Sequence, residues 1–182
     1  MKSEWGTKEW FAGKYTDGLK KGNANYFNYN TNGFQLVRLD AIAKWLNKLN
    51  IRPIKNALDI GSATGEVAEI IYEKLKPEKF VLSDFSDPLI KHLKRKYKKH
   101  EVKKIEMPYV ESKVRFDLIT FVEVLYYISE ENRKKSIDNC LNILSESGYI
   151  VICANISGGV YLCDRNIKSL MEEKFLLINE KK

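Results

Sequence analysis

The chain has 182 residues, 44% hydrophobic and 30% charged, the size and mix of a single soluble globular domain with a sizeable core. Its apolar runs are too short for the roughly 18 residues a membrane span needs. Its N-terminus, "MKSEWGTKEWFAGKY", has no apolar leader, and its three cysteines (Cys140, Cys153, Cys163) show no metal spacing, so a cytoplasmic protein with reduced thiols and no metal is expected. The formal charge of +7 is local: "KHLKRKYKKHEVKK", Lys91 to Lys104, holds eight Lys/Arg against one Glu and leaves the rest formally neutral.

Residues 1–33 are rich in Gly, Asn, Tyr and Trp and carry no clear period. "GNANYFNYNTNG" (Gly22 to Gly33) is turn-forming, and the segment is expected to be an N-terminal cap or lid on one domain spanning 34–182. From Phe34 to Leu49, the spacing of Val37, Ala41, Trp45 and Leu49 predicts a helix, broken by Pro53. The chain then alternates. "KNALDI" is a buried strand, and Val67, Ile70, Ile71 and Leu75 form a helix stripe closed by Pro77. "KFVLSD" is a second strand, and Ser86 caps a helix with Pro88 in its first turn. That helix buries Ile90, Leu93 and Tyr97 and turns Lys91, Lys94, Arg95, Lys98 and Lys99 outward. "VKKIE" is a third, weak strand and "FDLITFV" a fourth, strongly apolar one. Ile137, Cys140, Leu141 and Leu144 make the next stripe, ended by Gly148. "YIVICA" is a fifth strand, Asp164 caps a helix carrying Ile167, Leu170 and Met171, and "FLLI" is the last strand.

This alternation predicts an α/β fold: a Rossmann-like, doubly wound, mostly parallel sheet with helices on both faces. A ligand of such a sheet sits at the strand C-terminal ends, near the switch in strand order. The basic run is expected to be a solvated helix face. Its alternative is a nucleic-acid patch, but no stacking aromatics are interleaved on the outer face.

The turn after the first strand, "ALDIGSATGE" (Ala57 to Glu66), carries the chemistry. A dinucleotide fingerprint counted from Gly61 needs its third glycine where Glu66 stands, and a carboxylate at that helix start repels a pyrophosphate. No Gly-Lys-Ser/Thr follows, which excludes a P-loop. A ligand without phosphate fits better, and S-adenosylmethionine (SAM) has an ammonium, a carboxylate, a sulfonium, a ribose diol and an adenine. Asp59, ending the first strand, suits a cationic head. Gly61 and Gly65 let the backbone turn tightly and approach closely, with Ser62 and Ala63 between them. Asp84 ends the second strand, 23 residues after Gly61, where a carboxylate can accept both ribose hydroxyls.

"LDIGSATGE" followed by "VLSDFSDPLI" resembles the first two motifs of class I SAM-dependent methyltransferases. The usual first motif, D-x-G-x-G-x-G, is matched at Asp59, Gly61 and Gly65, while Ala63 departs by one methyl group. "FDLITFVEVLYYIS" (Phe116 to Ser129) covers the fourth strand and the loop that faces the methyl group in that superfamily. It lacks the Asn/Asp-Pro-Pro-aromatic stretch of nucleic-acid amino-methyltransferases, the Pro-Cys of cytosine C5 enzymes and the paired glutamates of arginine methyltransferases. The phrase "FDLI…EVLYYI" resembles the NodS-like methyltransferases, which N-methylate an amino sugar, over Asn56 to about Leu177. The resemblance implies a small-molecule acceptor without naming it. It also implies that Phe85 stacks near the adenine, that Glu106 and Met107 lie beside the adenine edge, and that Tyr15, Tyr26 and Tyr29 belong to a lid over the cofactor, with Tyr15 reaching it.

Methyl transfer from a sulfonium is an in-line displacement, which needs a neutral nucleophile held close and aligned more than it needs acid–base chemistry. Glu123 can orient an amine or accept its proton, and the faces of Tyr126 and Tyr127 can attract the sulfonium. The structural alternatives are a hydrogen bond from Glu123 to the first-motif loop and core packing for the two tyrosines. Class I sheets end with two strands after the last helix, the final one antiparallel. Here "FLLINEKK" is all that remains, so the sheet is expected to be one strand short at its C-terminal end, or its edge to be covered by partner contacts in an oligomer. Two other functions stay open. One is a SAM-binding interaction module without catalysis, motivated by that short end and by Ala63. The other is an RNA methyltransferase using Lys91 to Lys104.

Overall fold

The computed structural model describes residues 8–22, 33–48, 53–154, 169–173 and 175–176. Two helices, α1 (Lys8–Lys20) and α2 (Gly33–Lys48), precede the first strand. There follow β1 (Asn56–Ile60), α3 (Glu66–Leu75), β2 (Lys79–Asp84), α4 (Asp87–Lys96), β3 (Glu101–Lys104), β4 (Phe116–Val122), a 3-10 turn (Leu125–Tyr127), α5 (Glu130–Ile143) and β5 (Leu144–Cys153). The strands form one sheet in the order β3-β2-β1-β4-β5 with every pairing parallel. Helices α3, α4 and α5 supply crossovers that parallel neighbours require. The strand order reverses between β1 and β4, whose C-terminal ends lie side by side with Ile60 opposite Phe121. The crevice of a doubly wound sheet opens at that point.

Period-two alternation sorts the strand residues onto two faces. Ala57, Phe80, Leu82 and Leu118 pack with Leu46, Ala68, Ile71 and Leu93 from α2, α3 and α4. Leu58, Ile60, Val81, Ile119 and Phe121 pack with Ile137, Cys140 and Ile143 from α5. Both faces are therefore covered, and the strands read as near-continuous apolar runs. The same alternation places the polar atoms. Asp59, Asp84 and Thr120 continue the first face beyond Ala57, Leu82 and Leu118, and they are 2%, 4% and 0% exposed. The row turns polar only at the C-terminal edge, where a ligand can reach it.

Most predicted elements stand, and the exceptions have physical reasons. α3 stops before Pro77, with Lys76 in a left-handed conformation donating its N–H to Tyr72 O at 2.8 Å. Ser86 holds the N-cap position of α4, but its hydroxyl makes no cap; instead Asp84 Oδ1 accepts the Ser86 N–H at 2.9 Å. The helix before β5 ends at Ile143, not at Gly148, and Leu144 is already extended and opposite Phe116. Gly148 lies within β5 where the register shifts, and a Cβ there would meet Leu144 Cγ at 2.8 Å and Phe116 O at 3.0 Å. This glycine serves sheet packing and not a helix C-cap. In α2 the buried face is Leu39, Ala43 and Leu46, while Val37 is exposed and Ala41 and Trp45 are half-buried. Two apolar stripes compete there, and the one set by packing against α3 prevails.

β3 ends at Lys104 and not at residue 106. Residues 8–20, which carry no obvious period, form α1 because Phe11 and Tyr15 find tertiary partners in Leu89, Ala63 and Tyr127. α4 buries Ile90 and Leu93 and exposes Lys91, Lys94 and Arg95, as expected; the helix stops at Lys96, so the buried Tyr97 is its C-cap and the exposed Lys98 and Lys99 lie in the turn beyond it. Residues 169–172 are helical, and Leu170 and Met171 pack on the α5-side core; Phe175 and Leu176 are not in a strand. Cys163, Asp164, Ile167 and the rest of "FLLI" lie outside the described residues, as do Tyr26 and Tyr29. Among the described residues, no helix is long and apolar enough to cross a membrane, and no cluster of His, Cys, Asp and Glu could hold a metal ion.

Candidate active site

The loop from Gly61 to Gly65 joins β1 to α3 and is hydrogen-bonded to both β1 and β2. Ser62 donates its N–H to Ser83 O at 2.7 Å and its hydroxyl to Asp59 Oδ2 at 2.7 Å. The Ser62 hydroxyl oxygen accepts the Ser83 N–H at 3.1 Å, so one side chain knits the loop to both β1 and β2. Ala63 donates its N–H to Asp84 Oδ2 at 3.1 Å. Gly61 (φ 75) and Gly65 (φ 88) adopt left-handed backbone. A Cβ on Gly61 would lie 2.5 Å from Val124 Cγ2, and one on Gly65 would run into the Tyr97 ring. Their close approach is thus to the loop after β4 and to the end of α4.

Ala63 is in left-handed backbone too, at φ 49. It adopts the glycine conformation at the expected glycine position, at a cost of about 1–2 kcal/mol for a residue with a Cβ. Glycine would remove that strain but lose more chain entropy on folding, about 0.5–1 kcal/mol. The Ala63 methyl also packs against the Phe11, Tyr15 and Leu89 cluster, and losing it costs up to about 0.8 kcal/mol. Ala63→Gly is therefore expected to leave Tm within roughly 2 °C of wild type, measurable by thermal melts.

Asp59 has both carboxylate oxygens engaged: Oδ2 accepts from Ser62, and Oδ1 accepts the Thr120 hydroxyl at 2.5 Å. Burial pushes its carboxyl up from 3.8 to about 6, against the Thr120 and Ser62 hydrogen bonds that lower it, and the neighbouring Asp84 charge adds to the rise. Asp84 is likewise pushed up to about 6 by burial, against the N–H groups of Ser86, Ala63 and Phe85. Two buried acids therefore stand at the ends of adjacent strands, each partly stabilised and each still favouring a cation nearby. The hydroxyl of Ser86, 3% exposed beside Asp84, has no hydrogen-bond partner.

A cavity of about 20 Å³ is lined by Asp59, Gly61, Ser62, Ala63, Glu66, Val67 and Val122. Four of its seven lining residues are candidates from the first motif. Glu66, Val67 and Val122 were not singled out as ligand residues, although the alternation of "FDLITFV" marks Thr120 and Val122 as continuing the Leu118 face. Phe85, half-buried, follows Asp84. Glu106 is exposed and Met107 half-buried just beyond β3, where Ile105 donates its N–H to Asp84 O at 3.0 Å. Neither these three residues nor Asp84 line the cavity itself.

The segment after β4 lies against the first loop, where Val124 meets Gly61. Glu123 has a left-handed backbone (φ 59), and its N–H reaches Cys153 O at 2.7 Å. The Tyr126 hydroxyl donates to Glu123 Oε2. Burial first, and then the Glu123 charge, push the Tyr126 pKa far up, which keeps this hydroxyl a donor. The rings of Tyr126 and Tyr127 meet edge to face, 4.3 Å between centroids, and Phe11 of α1 lies 4.2 Å from Tyr127. Arg133, 6% exposed, pins the turn from α5 by donating Nε to Leu125 O at 3.0 Å and Nη2 to Ile128 O at 2.8 Å. The sequence carries no signal that this arginine is buried. α1 bridges the two loops: Phe11, Tyr15 and Leu89 form a cluster that Ala63 joins from the β1 loop and Tyr127 from the β4 loop.

A nucleotide-type crevice with two buried acids, no phosphate cradle and a tyrosine-rich wall is the setting in which the comparisons fall. A family model described as "Methyltransferase domain" matches residues 58–150, and the chain belongs to that family. It is a methyltransferase of the class I, SAM-dependent superfamily that the two motifs resemble. A comparison with curated protein sequences finds no match.

Among solved structures, the chain is similar to the N-methyltransferase NodS from Bradyrhizobium japonicum WM9 in complex with S-adenosyl-L-homocysteine, with TM-score 0.60, 22% identity, and coverage of 76% of this chain and 71% of that one. The plantazolicin methyltransferase BpumL, in complex with a pentazolic desmethylPZN analog and SAH, gives TM-score 0.65 at 16% identity, covering 90% of this chain and 72% of that one. The sugar N-methyltransferase KedS8 from Streptoalloteichus sp ATCC 53650 gives TM-score 0.58 at 16% identity, with 81% of this chain covered and 56% of that one. The chain thus spans just over half of KedS8's length. These likenesses share the fold.

Proposed function

We propose that this chain binds SAM in the crevice between β1, β2 and β4 and moves its methyl group to a nitrogen or oxygen of a small molecule such as an amine, an amino sugar or a phenol. The carrying observation is the pair of buried acids, Asp59 and Asp84, linked through the Ser62–Ala63 turn. They suit a ligand that is cationic and rich in hydroxyls and exclude one bearing phosphates. In this reading Asp84, with the unpartnered Ser86 hydroxyl beside it, receives the ribose diol. Asp59 fixes the turn and sets a negative potential for the ammonium and sulfonium, acting across Gly61, Ser62 and Ala63. Gly65 shapes the turn from behind, Phe85 covers the adenine, and Glu106 and Met107 flank its edge. Two of the similar structures named above support the small-molecule reading, one being called a sugar N-methyltransferase and the other a plantazolicin methyltransferase.

The bound cofactor supplies an electrophilic methyl group on a positively charged sulfur. The protein supplies position. The acceptor enters between α1 and the turn at Glu123 to Tyr127, where Phe11, Tyr126 and Tyr127 form an aromatic wall. Glu123, held by the Tyr126 hydroxyl, orients the acceptor and takes the proton that an amine sheds. Residues 1–33 then act as a lid, with Tyr15 in the cluster that Ala63 packs against. The exposed β5 edge of the described sheet is the surface through which copies would associate.

A methyl-transfer screen of amino sugars, small amines and phenols, read by product formation, tests this function. Transfer to at least one of them is expected, and binding of SAM with no transfer to any would count against catalysis. With an active amine, Glu123→Gln should lower kcat by about 100-fold, the scale of a lost general base. A phenol substrate should suffer less, and an equal loss on both would remove Glu123 from proton transfer.

A further inference from the structure

The cavity that would hold the amino-acid head of the cofactor contains a carboxylate that the proposed ligand does not want. Glu66, the first residue of α3, lines the cavity together with Asp59, and its side chain is only 11% exposed. The head of SAM carries its own carboxylate. Left bare, Glu66 would repel it in a poorly solvated crevice and cancel the attraction of the α3 N-terminus.

The structure places a counter-charge there. Lys96, the last residue of α4, sends its Nζ to Glu66 Oε1 at 3.1 Å and to Thr64 O at 3.2 Å. The Thr64 hydroxyl donates to Glu66 Oε2, so both carboxylate oxygens are held. Lys96 is itself steadied, because its Nζ lies 4.9 Å from the centroid of the Tyr97 ring, and that ring packs against Gly65. Within the basic run, Lys103 pairs with Glu101, Lys104 pairs with Asp87, and Lys99 lies over Tyr72. Of the described ion pairs made by that run, the one from Lys96 alone reaches a residue lining the cavity.

We infer that Lys96 is a positioning residue that neutralises Glu66, so that the crevice accepts a ligand bearing a carboxylate next to its cation. The inference rests on the SAM reading of the site. It assigns one cation of the Lys91 to Lys104 run to ligand recognition, and it explains how a glutamate can stand at the helix start.

The test is calorimetry with S-adenosylhomocysteine and with methylthioadenosine, which shares the nucleoside but lacks the amino-acid head. Lys96→Met should weaken S-adenosylhomocysteine binding by about tenfold or more, the scale of an introduced like-charge contact. Glu66→Gln alone, which leaves the Lys96 charge bare beside the ligand's carboxylate, should tighten it, and the double variant Lys96→Met/Glu66→Gln should return close to wild type. Methylthioadenosine should bind all four proteins alike. Raising the salt concentration should recover part of the Lys96→Met loss through screening. A double variant as weak as Lys96→Met, or an equal loss for methylthioadenosine, would show that the lysine only braces the turn and overturn the inference. Unchanged binding by Lys96→Met would do the same while leaving the site reading intact. Wild-type protein that binds neither compound would overturn the site reading and this inference with it.

Discussion

Asp84→Ala is expected to weaken binding of SAM and of its demethylated product by about 1–3 kcal/mol, or roughly 5- to 150-fold, as a hydrogen-bonded charged partner of the ribose is lost. The structure adds a second loss. Asp84 Oδ1 and Oδ2 also accept the N–H groups of Ser86 and Ala63, so alanine leaves two donors at the crevice without their partner. A fall in Tm should therefore accompany the loss of affinity. Asp84→Asn keeps one acceptor oxygen and most of the volume, and it should lie between wild type and alanine in both readouts. Calorimetry on the three proteins decides this, and unchanged affinity in Asp84→Ala would place the cofactor elsewhere.

The second large effect is a dependence on pH between about 4 and 7. Asp59 and Asp84 are both raised from 3.8 to about 6, chiefly by burial. For an acid whose folded pKa lies above its unfolded value, the folded state holds the proton more tightly. Its contribution to stability is fully present below the unfolded pKa and lost as pH rises through the folded pKa. Each carboxylate should thus make the ligand-free protein more stable at pH 5 than at pH 7.5 by about 1 kcal/mol. Other groups titrate in the same range, so the comparison is the difference between wild type and Asp84→Asn in denaturant melts across pH. That difference should shift towards wild type on acidification. Cofactor binding should run the other way. A cation favours the ionised acids, so affinity should fall below pH 6 by up to about tenfold per pH unit for each carboxylate that must ionise. A flat affinity profile from pH 5 to 8 would mean that neither acid senses the ligand's charge.

The alternation of strands and helices was legible because each strand is an apolar run and the helix ends are marked by Pro77, Ser86 and Pro88. The acids were legible because their motifs end those strands. What escaped depends on tertiary contacts. "KEWFAGKYTDGLK" contains Gly13 and Gly18, each costing a helix about 1 kcal/mol, and Phe11 and Tyr15 make a stripe only because Leu89 and Tyr127 receive it. Gly148 reads as a helix stop from its chemistry, whereas its reason lies in Leu144 and the Phe116 carbonyl. Lys96 is indistinguishable from its basic neighbours until Glu66, 30 residues away in sequence, is folded against it. Arg133 reads as a surface charge on α5, and only the carbonyls of Leu125 and Ile128 show why it is buried. In each case a local pattern reports the element, and a distant partner reports the role.

α1, with Leu89 of α4, joins the loop after β1 and the turn after β4 in a single cluster, through Ala63 on one side and Tyr127 on the other. Under the proposed function, the first loop belongs to the cofactor and the turn to the acceptor. The two ligands then share one packed cluster, and any binding energy either spends on seating it links their affinities. Whatever part of its binding energy the cofactor gives to seating Phe11 and Tyr15 is given back to the acceptor as affinity. By reciprocity, the acceptor strengthens the hold on the cofactor by the same factor. The aromatic residues of one N-terminal helix would thereby set one coupling free energy between the two binding events.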